Sequence, residues 1–61
     1  MEMFNEFVTV NNKQGTIIRY IGSELWKVAY LEGNKRRVVT FHETEIDFHD
    51  QDLEHLKKVH R

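Results

Sequence analysis

The sequence predicts a mainly β domain in which five short, strongly bent strands close into a small barrel, followed by a short C-terminal α-helix. Two observations lead to this prediction. Segments rich in β-branched and aromatic residues alternate with short polar segments over residues 6–48, which is the pattern of strands joined by tight turns. From residue 50 the apolar residues recur every three to four positions, which is the spacing of an amphipathic helix. A chain of 61 residues builds only one small core, so residues 1–61 are predicted to form a single domain.

The first two strands are expected at residues 6–10 and 16–21, joined by a polar loop that ends at Gly15. Both segments contain β-branched residues, which favour strands. Ile17 and Ile18 are adjacent in the second segment, and this is typical of a strand that is bent or buried on both faces.

The third strand, residues 25–31, has the most regular alternation in the chain. Three large residues share one predicted face: Trp26, Val28 and Tyr30. Lys27 and Ala29 share the other face. The preceding segment, residues 22–24, is short enough for a tight connection.

The fourth strand, residues 35–41, follows a turn at residues 32–34 that contains glycine and asparagine. One predicted face carries Arg37, Val39 and Phe41, and the other carries Arg36, Val38 and Thr40. Apolar residues on both faces favour a strongly bent strand whose two ends meet different halves of a barrel core. The interior is expected to contain Ile18, Val28 and Val39.

The C-terminal third is predicted to begin with a single helical turn at residues 42–45 and a brief closing strand at residues 45–48. A helix is expected at about residues 50–60, with Leu53 and Leu56 on its apolar stripe. Three helical turns are marginal in isolation. The helix is therefore expected either to dock on the barrel or to form against a partner.

Residues 15–46 resemble the SH3-like small barrels, a group that includes the Tudor and KOW modules, and in particular the Tudor-like C-terminal domain of the UvrD-type helicases. The resemblance rests on the segments GTIIRYIG, VAYLEG and NKRRV and on a closing E-x-E-I. It implies an SH3-like fold. In that family the module contacts RNA polymerase, so the resemblance also implies a partner in the transcription or DNA-processing machinery.

The sequence does not predict an enzyme, a cofactor or a metal site. The chain has no cysteine, and the helical zinc motif HExxH is absent because no histidine stands four positions after His42. Asp52 and His55 are three residues apart on the predicted helix, and His49 precedes them, but scattered surface groups of this kind are far commoner than metal sites. Metal-dependent activity is therefore the third hypothesis. The N-terminus lacks the pattern of a signal peptide, and no apolar run reaches membrane-spanning length, so we expect a cytoplasmic protein without membrane contact.

A basic cluster is the first candidate binding surface. Its members are Arg19, Lys27, Lys35, Arg36 and Arg37, with the aromatic residues Tyr20, Trp26 and Tyr30 predicted nearby. Cations interleaved with aromatic rings suit the backbone and bases of a nucleic acid. Two other interpretations compete with this one. A Lys-Arg-Arg hairpin also protects a strand edge against aggregation, and a lone tryptophan in a regular strand is more often a core residue.

An acidic segment is the second candidate. Residues from 43 onward carry six acidic and three basic side chains, whereas residues 1–42 carry four acidic and six basic ones. Glu43, Glu45 and Asp47 could occupy a basic groove on another protein, or they could simply belong to a capped helix that covers one barrel end. The formal net charge of −1 favours neither kind of partner, but a pI of about 6.4 and the absence of a dominant basic face favour a protein partner over a nucleic acid.

The sequence therefore predicts a non-enzymatic binding module that docks on a larger protein, as a small regulator of transcription or DNA processing. Direct DNA or RNA binding through the basic hairpin is the alternative. No feature of the sequence sets the oligomeric state.

Overall fold

The computed structural model describes residues 7–61, so Glu6, the first residue of the predicted first strand, lies outside the described residues. The elements are β1 (Phe7–Val10), β2 (Lys13–Gly22), β3 (Leu25–Glu32), β4 (Lys35–His42), a 3₁₀ turn (Glu43–Glu45) and α1 (Leu53–Val59). The four strands form one antiparallel sheet in the order β1-β2-β3-β4. The prediction of a mainly β chain with a short C-terminal helix is confirmed.

The turn between β1 and β2 is tighter than predicted. Asn11 and Asn12 both have left-handed backbone angles, with φ of 50° and 63°, so the chain reverses within two residues and Val10 pairs with Lys13. Asparagine tolerates this conformation better than most residues. The predicted loop up to Gly15 is therefore wrong, because β2 already begins at Lys13.

Gly15 lies inside β2, where close packing rather than a turn requires glycine. A Cβ atom at this position would lie 2.6 Å from Cγ1 of Val28 and 3.1 Å from the carbonyl oxygen of Ala29. Such distances are shorter than van der Waals contact, so a side chain here would push β2 and β3 apart.

The bend of the sheet is located in β2 and not in β4. The β2–β3 register shifts between Ile17 and Arg19, and again between Tyr20 and Gly22, so that Ile18 and Ile21 are extra residues in the strand. Bulges of this kind bend a strand and increase its twist. Ile17 is buried, whereas Ile18 is exposed, and the expectation that Ile18 belongs to the interior is wrong.

Strand β4 is regular, and most of it lies outside the core. It pairs with β3 through eight consecutive residues without a register shift, and its residues 35–40 are all exposed. Phe41 is its buried core residue. The prediction that both faces of this strand meet the core, with Val39 in the interior, is wrong because β4 is an edge strand that no other described element covers along residues 35–40.

Over residues 7–61 the structure has four strands and an isolated bridge, where five strands were predicted. Glu43–Glu45 forms the expected single helical turn, which His42 caps through its side chain. Residues 45–48 do not form a strand, but Asp47 makes an isolated antiparallel bridge to Thr9 of β1. Two backbone hydrogen bonds of 3.0 Å form this bridge, one in each direction.

Helix α1 is shorter than predicted and packs against the sheet. His49 and Asp50 have left-handed φ angles of 54° and 65°, so neither residue belongs to the helix. Asp52 caps the helix, because its carboxylate accepts hydrogen bonds from the backbone N–H groups of Glu54 and His55. Leu56 is buried. The helix was predicted either to dock on the barrel or to form against a partner, and in the structure it packs on the sheet.

The core lies between the inner face of the sheet, the 46–48 segment and α1. Its members are Val8, Val10, Ile17, Trp26, Val28, Phe41, Ile46, Phe48 and Leu56. Trp26 has no exposed surface, and its ring lies 4.6 Å from the ring of Tyr20 and 5.1 Å from that of Phe48. Burial of so large a side chain makes it the centre of this small core.

Candidate binding surface

The register of the sheet separates an inner face, which meets the core, from an outer face. Directly opposite residues in antiparallel strands point to the same side of a sheet. Phe7 is opposite Thr16, Thr16 is opposite Ala29, and Ala29 is opposite Val38. These four residues form one row across all four strands. We call the side of the sheet that carries this row the outer face.

Exposed apolar side chains are a main feature of the outer face. Leu31 is 64% exposed, Val38 is 46% exposed and Phe7 is 41% exposed. A shallow depression of about 230 Å³ lies beside Leu31 and is lined by Gln14, Thr16, Ala29, Tyr30, Leu31 and Arg36. Ala29, which is buried, is the small residue of the row. Solvated aliphatic groups beside a depression are typical of a surface that contacts another molecule.

Cations are the second feature of the outer face. Lys27 is directly opposite both Arg19 and Thr40, and Arg36 is directly opposite Leu31. Among the strand residues of 7–61 that share this face by register, none is acidic. By the same register the outer face also includes Asp47, which is opposite Thr9 but lies outside the strands. Within residues 7–61 it forms no ion pair with Arg19, Lys27 or Arg36.

The predicted basic cluster divides into free and paired members. Four of its five cations form neither an ion pair nor a side-chain hydrogen bond within the described part of the chain: Arg19, Lys27, Lys35 and Arg36. Arg37 differs, because its Nε donates a hydrogen bond of 2.7 Å to Oε1 of Glu32. The hydrogen bond and charge of Arg37, with help from Lys13, lower the pKa of Glu32. Glu32 in turn raises the pKa of Arg37.

The predicted aromatic residues belong to the inner side of the sheet. Trp26 is fully buried, and Tyr20 and Tyr30 are partly buried against the core. The Trp26 Nε1–H donates to Oε1 of Glu43, at 3.2 Å. The structure therefore separates Trp26 and Tyr20 from the outer-face cations, with which the sequence grouped them, whereas Tyr30 also lines the outer-face depression together with Arg36.

The predicted acidic residues each have a partner within the fold. Glu43 accepts the hydrogen bond from Trp26 and lies 3.5 Å from Nζ of Lys57. Glu45 accepts from the backbone N–H of His42 and so completes the capping box of the 3₁₀ turn. Asp47 accepts from the backbone N–H of His49. These contacts make the acidic corner a structural element as well as a charged surface.

Lys57 connects α1 to this corner. Partial burial lowers the pKa of its ammonium group, but the charges of Glu43, Tyr20 and Glu54 together with a hydrogen bond to Glu43 outweigh burial, and the pKa is raised. The ammonium also lies 5.4 Å from the centre of the Tyr20 ring, which is within range of a cation–π contact.

A hydroxyl, an imidazole and a carboxylate come together where Asp47 meets β1. Thr9 Oγ1 lies 2.8 Å from Nε2 of His49, and Nδ1 of the same ring lies 3.7 Å from Oδ1 of Asp47. The second distance is too long for a hydrogen bond, and the His49 side chain is about half exposed. This group therefore resembles a surface contact more than a nucleophile with its base.

The candidate metal ligands are also dispersed. The Asp52 carboxylate caps α1 by accepting from two backbone N–H groups. Among residues 7–61 no three histidine or acidic side chains are close enough together to hold one metal ion. No helix in the described range is both long and apolar enough to cross a membrane.

Comparison of the chain with protein-family models, with curated proteins and with solved structures found no match. The resemblance to the Tudor-like domain of the UvrD-type helicases therefore stays a prediction from the sequence.

Sequence reasoning missed the exposed apolar members of the outer face: Phe7, Leu31 and Val38. The alternation in β1 contained a signal for one of them, since Val8 and Val10 are both apolar and the residue before them must face the other way. The regular alternation of residues 25–31 contained a similar signal for Leu31, which is two residues after Ala29 and so shares the face opposite Trp26, Val28 and Tyr30. Val38 had no such signal, because both faces of residues 35–41 carry apolar side chains.

Proposed function

We propose that this chain is a non-enzymatic binding module of the cytoplasm that docks on a larger protein through the outer face of its sheet. One observation supports this most directly. The outer face combines exposed aliphatic side chains with unpaired cations, and its strand residues within 7–61 include no carboxylate. Aliphatic residues in contact with a partner bury apolar area, and the cations select a partner with acidic groups.

The fold that we propose is a small SH3-like barrel. The chain order supports this: four antiparallel strands are followed by a 3₁₀ turn, and the next segment returns to β1 through the Thr9–Asp47 bridge. The bulges in β2 provide the bend that such closure needs. The resemblance of residues 15–46 to Tudor-like domains supports the further proposal that the partner belongs to the transcription or DNA-processing machinery.

Direct nucleic-acid binding is the second candidate. The free cations Arg19, Lys27, Lys35 and Arg36 favour it, since phosphate contacts dominate such affinity. The aromatic residues argue against it, because binding to single strands relies on exposed rings, whereas Trp26 is buried. The aliphatic character of the outer face therefore favours a protein partner.

The protein-docking proposal is tested by affinity capture from the source cell with wild type and two charge reversals. Arg36→Glu changes a free cation on the outer face, and Lys58→Glu makes the same change at an exposed position of α1 that has no ion pair in the described chain. We expect a partner that wild type and Lys58→Glu retain and Arg36→Glu loses. Absence of a partner with wild type, or equal capture by Arg36→Glu, contradicts the proposal.

Nucleic-acid binding is tested by titrating mixed-sequence DNA and RNA in a salt series. Because counterion release strengthens phosphate contacts at low salt, undetectable binding there ends this alternative. Tight binding that weakens steeply with salt, and that Arg36→Glu reduces, would make it the leading function.

A further inference from the structure

Strand β4 has a free edge, whereas the opposite side of the sheet is closed by backbone hydrogen bonds. Thr9 of β1 exchanges two hydrogen bonds with Asp47. Beyond the end of β1, the N–H of Tyr20 donates to the carbonyl of His60 at 2.8 Å. For residues 35–40, backbone pairing within the described chain is to β3 alone. Alternate N–H and C=O groups of β4 therefore point away from the sheet without a protein partner.

The geometry of this edge suits the addition of another strand. β4 keeps its register with β3 over eight consecutive pairs, so it has none of the bulges that interrupt β2. Proteins usually protect such edges with bulges, prolines or charged residues. Here the charges are confined to residues 35–37, and the following Val38, Val39 and Thr40 are β-branched and uncharged.

The side chains along the edge indicate what an added strand must carry. Lys35 and Arg36 have no ion pair within residues 7–61, whereas Arg37 is held by Glu32. Opposite charges that face each other across two strands are stabilising, and like charges are destabilising. Acidic residues are therefore favoured opposite Lys35 and Arg36, and β-branched residues are favoured opposite Val38 and Val39.

We infer that β4 accepts an extended segment of a partner protein as an additional antiparallel strand, and that this segment has β-branched residues followed by acidic ones. In an antiparallel pair the partner residues meet Thr40 first and Lys35 last, which sets this order. The inference rests on the proposed function and deepens it, because it names the part of the partner that is bound. Main-chain hydrogen bonds supply affinity in this mode, and alternate side chains supply specificity.

The outer-face depression lies beside this edge. Its lining includes Arg36 together with Leu31, the residue directly opposite in β3. A side chain of the added strand that points to the outer face would lie next to this depression. The free edge and the apolar surface would then form one continuous contact area.

The probe for the inference is the peptide acetyl-Ser-Thr-Val-Val-Thr-Glu-Glu-Ser-amide, titrated into the full chain and followed by two-dimensional NMR and amide hydrogen exchange. Two analogues carry N-methyl groups on alternate residues, one set for each edge of the peptide. Only one edge of an added strand bonds to β4. We therefore expect one methylated analogue to bind about tenfold or more weakly than the parent peptide, a loss of about 1.4 kcal/mol, while the other binds within about threefold of it.

Hydrogen exchange and a charge swap complete the test. We expect slower exchange at alternate amides of β4 when the parent peptide is bound, because new hydrogen bonds protect them. Arg36→Glu is expected to weaken binding of the parent peptide. A peptide with lysine in place of only the first glutamate, the one opposite residue 36, is expected to restore binding, because the second glutamate then still faces Lys35. A two-dimensional NMR spectrum of the variant establishes that it is folded.

Three results would overturn the inference: no binding of the parent peptide up to about 1 mM, equal binding of both methylated analogues, or self-association of the chain through β4. Binding that shifts outer-face signals without protecting β4 amides also overturns it, but leaves the proposed function intact. The proposed function is tested separately by repeating the affinity capture with Lys27→Glu, because Lys27 is an exposed outer-face cation of β3 and does not lie on the edge strand.

Discussion

The two edge strands of the sheet differ in cover: other described residues bond to and bury β1, whereas most of β4 is left exposed. β1 is bonded to Asp47 on its outer edge, and its Val8 and Val10 have no exposed surface. β4 has no bonded neighbour beyond β3 among the described residues, and its residues 35–40 are exposed. Both strands contain adjacent or alternating valines. The difference shows that tertiary cover, and not residue type, decides which edge stabilises the fold and which is available to bind.

The largest expected effect comes from matched valine substitutions at the two edges. Val8→Ala removes two methyl groups from a fully buried side chain, at about 0.8 kcal/mol each with an added cavity cost, so we expect a loss of about 2–3 kcal/mol of unfolding free energy. Val38→Ala acts on a side chain that is 46% exposed and is expected to cost less than about 1 kcal/mol. Urea unfolding followed by Trp26 fluorescence measures both. Equal losses would remove the distinction between the two edges.

A smaller effect is expected from Gly15→Ala, which tests how closely the inner face is packed. The new methyl group would meet Val28, whose side chain is buried and β-branched, as well as a backbone carbonyl. We expect a loss of about 1–3 kcal/mol from overpacking. The control is Thr16→Ala at the exposed neighbouring position on the outer face, expected to cost less than about 1 kcal/mol. A Gly15→Ala variant as stable as wild type would show that β2 and β3 can separate freely.

The smallest effect is expected at the exposed turn that joins β3 to the free edge. Glu32 has a lowered pKa because of Arg37 and Lys13, so its contribution to stability is present above the pKa of the unfolded chain and is lost as pH falls through the folded value. We expect Glu32→Gln to reduce slightly the dependence of unfolding free energy on pH between about pH 5 and pH 3.

The control for this measurement is Asp50→Asn, because Asp50 is an exposed carboxylate without an ion pair in residues 7–61. The unfolding free energy of the Asp50→Asn variant should depend on pH in the same way as that of wild type. If Glu32→Gln also matches wild type, then the Glu32–Arg37 pair does not hold the end of β4 in solution.

Much of the secondary structure could be predicted because it depends on neighbouring residues. The alternation of Trp26, Val28 and Tyr30 identified β3, and the turn predicted at residues 32–34 is present, with Gly33 at a left-handed φ of 65°. The helical turn after His42 was also predicted. The limits of α1 were not, because the left-handed angles of His49 and Asp50 delay its start and two such residues without glycine give no clear signal.

The candidate site was less accessible to sequence reasoning. The cations were identified, but their division into free and paired members was not, because the Arg37–Glu32 contact depends on the geometry of a hairpin. The partners of Glu43, Glu45 and Asp47 likewise come from the folded chain. The assignment of these residues to a binding surface stays a prediction.

By itself the sequence determined the class of fold, the four main strands, the tight turns on either side of β3 and the balance of charge, since each depends on local propensity or composition. Only the tertiary structure decided that the bend lies in β2, that Asp47 closes one side of the sheet and that β4 remains uncovered. These features depend on contacts between residues far apart in the chain, such as Thr9 with Asp47. A local pattern can show that a strand has two apolar faces, but burial of either face requires another part of the chain to cover it.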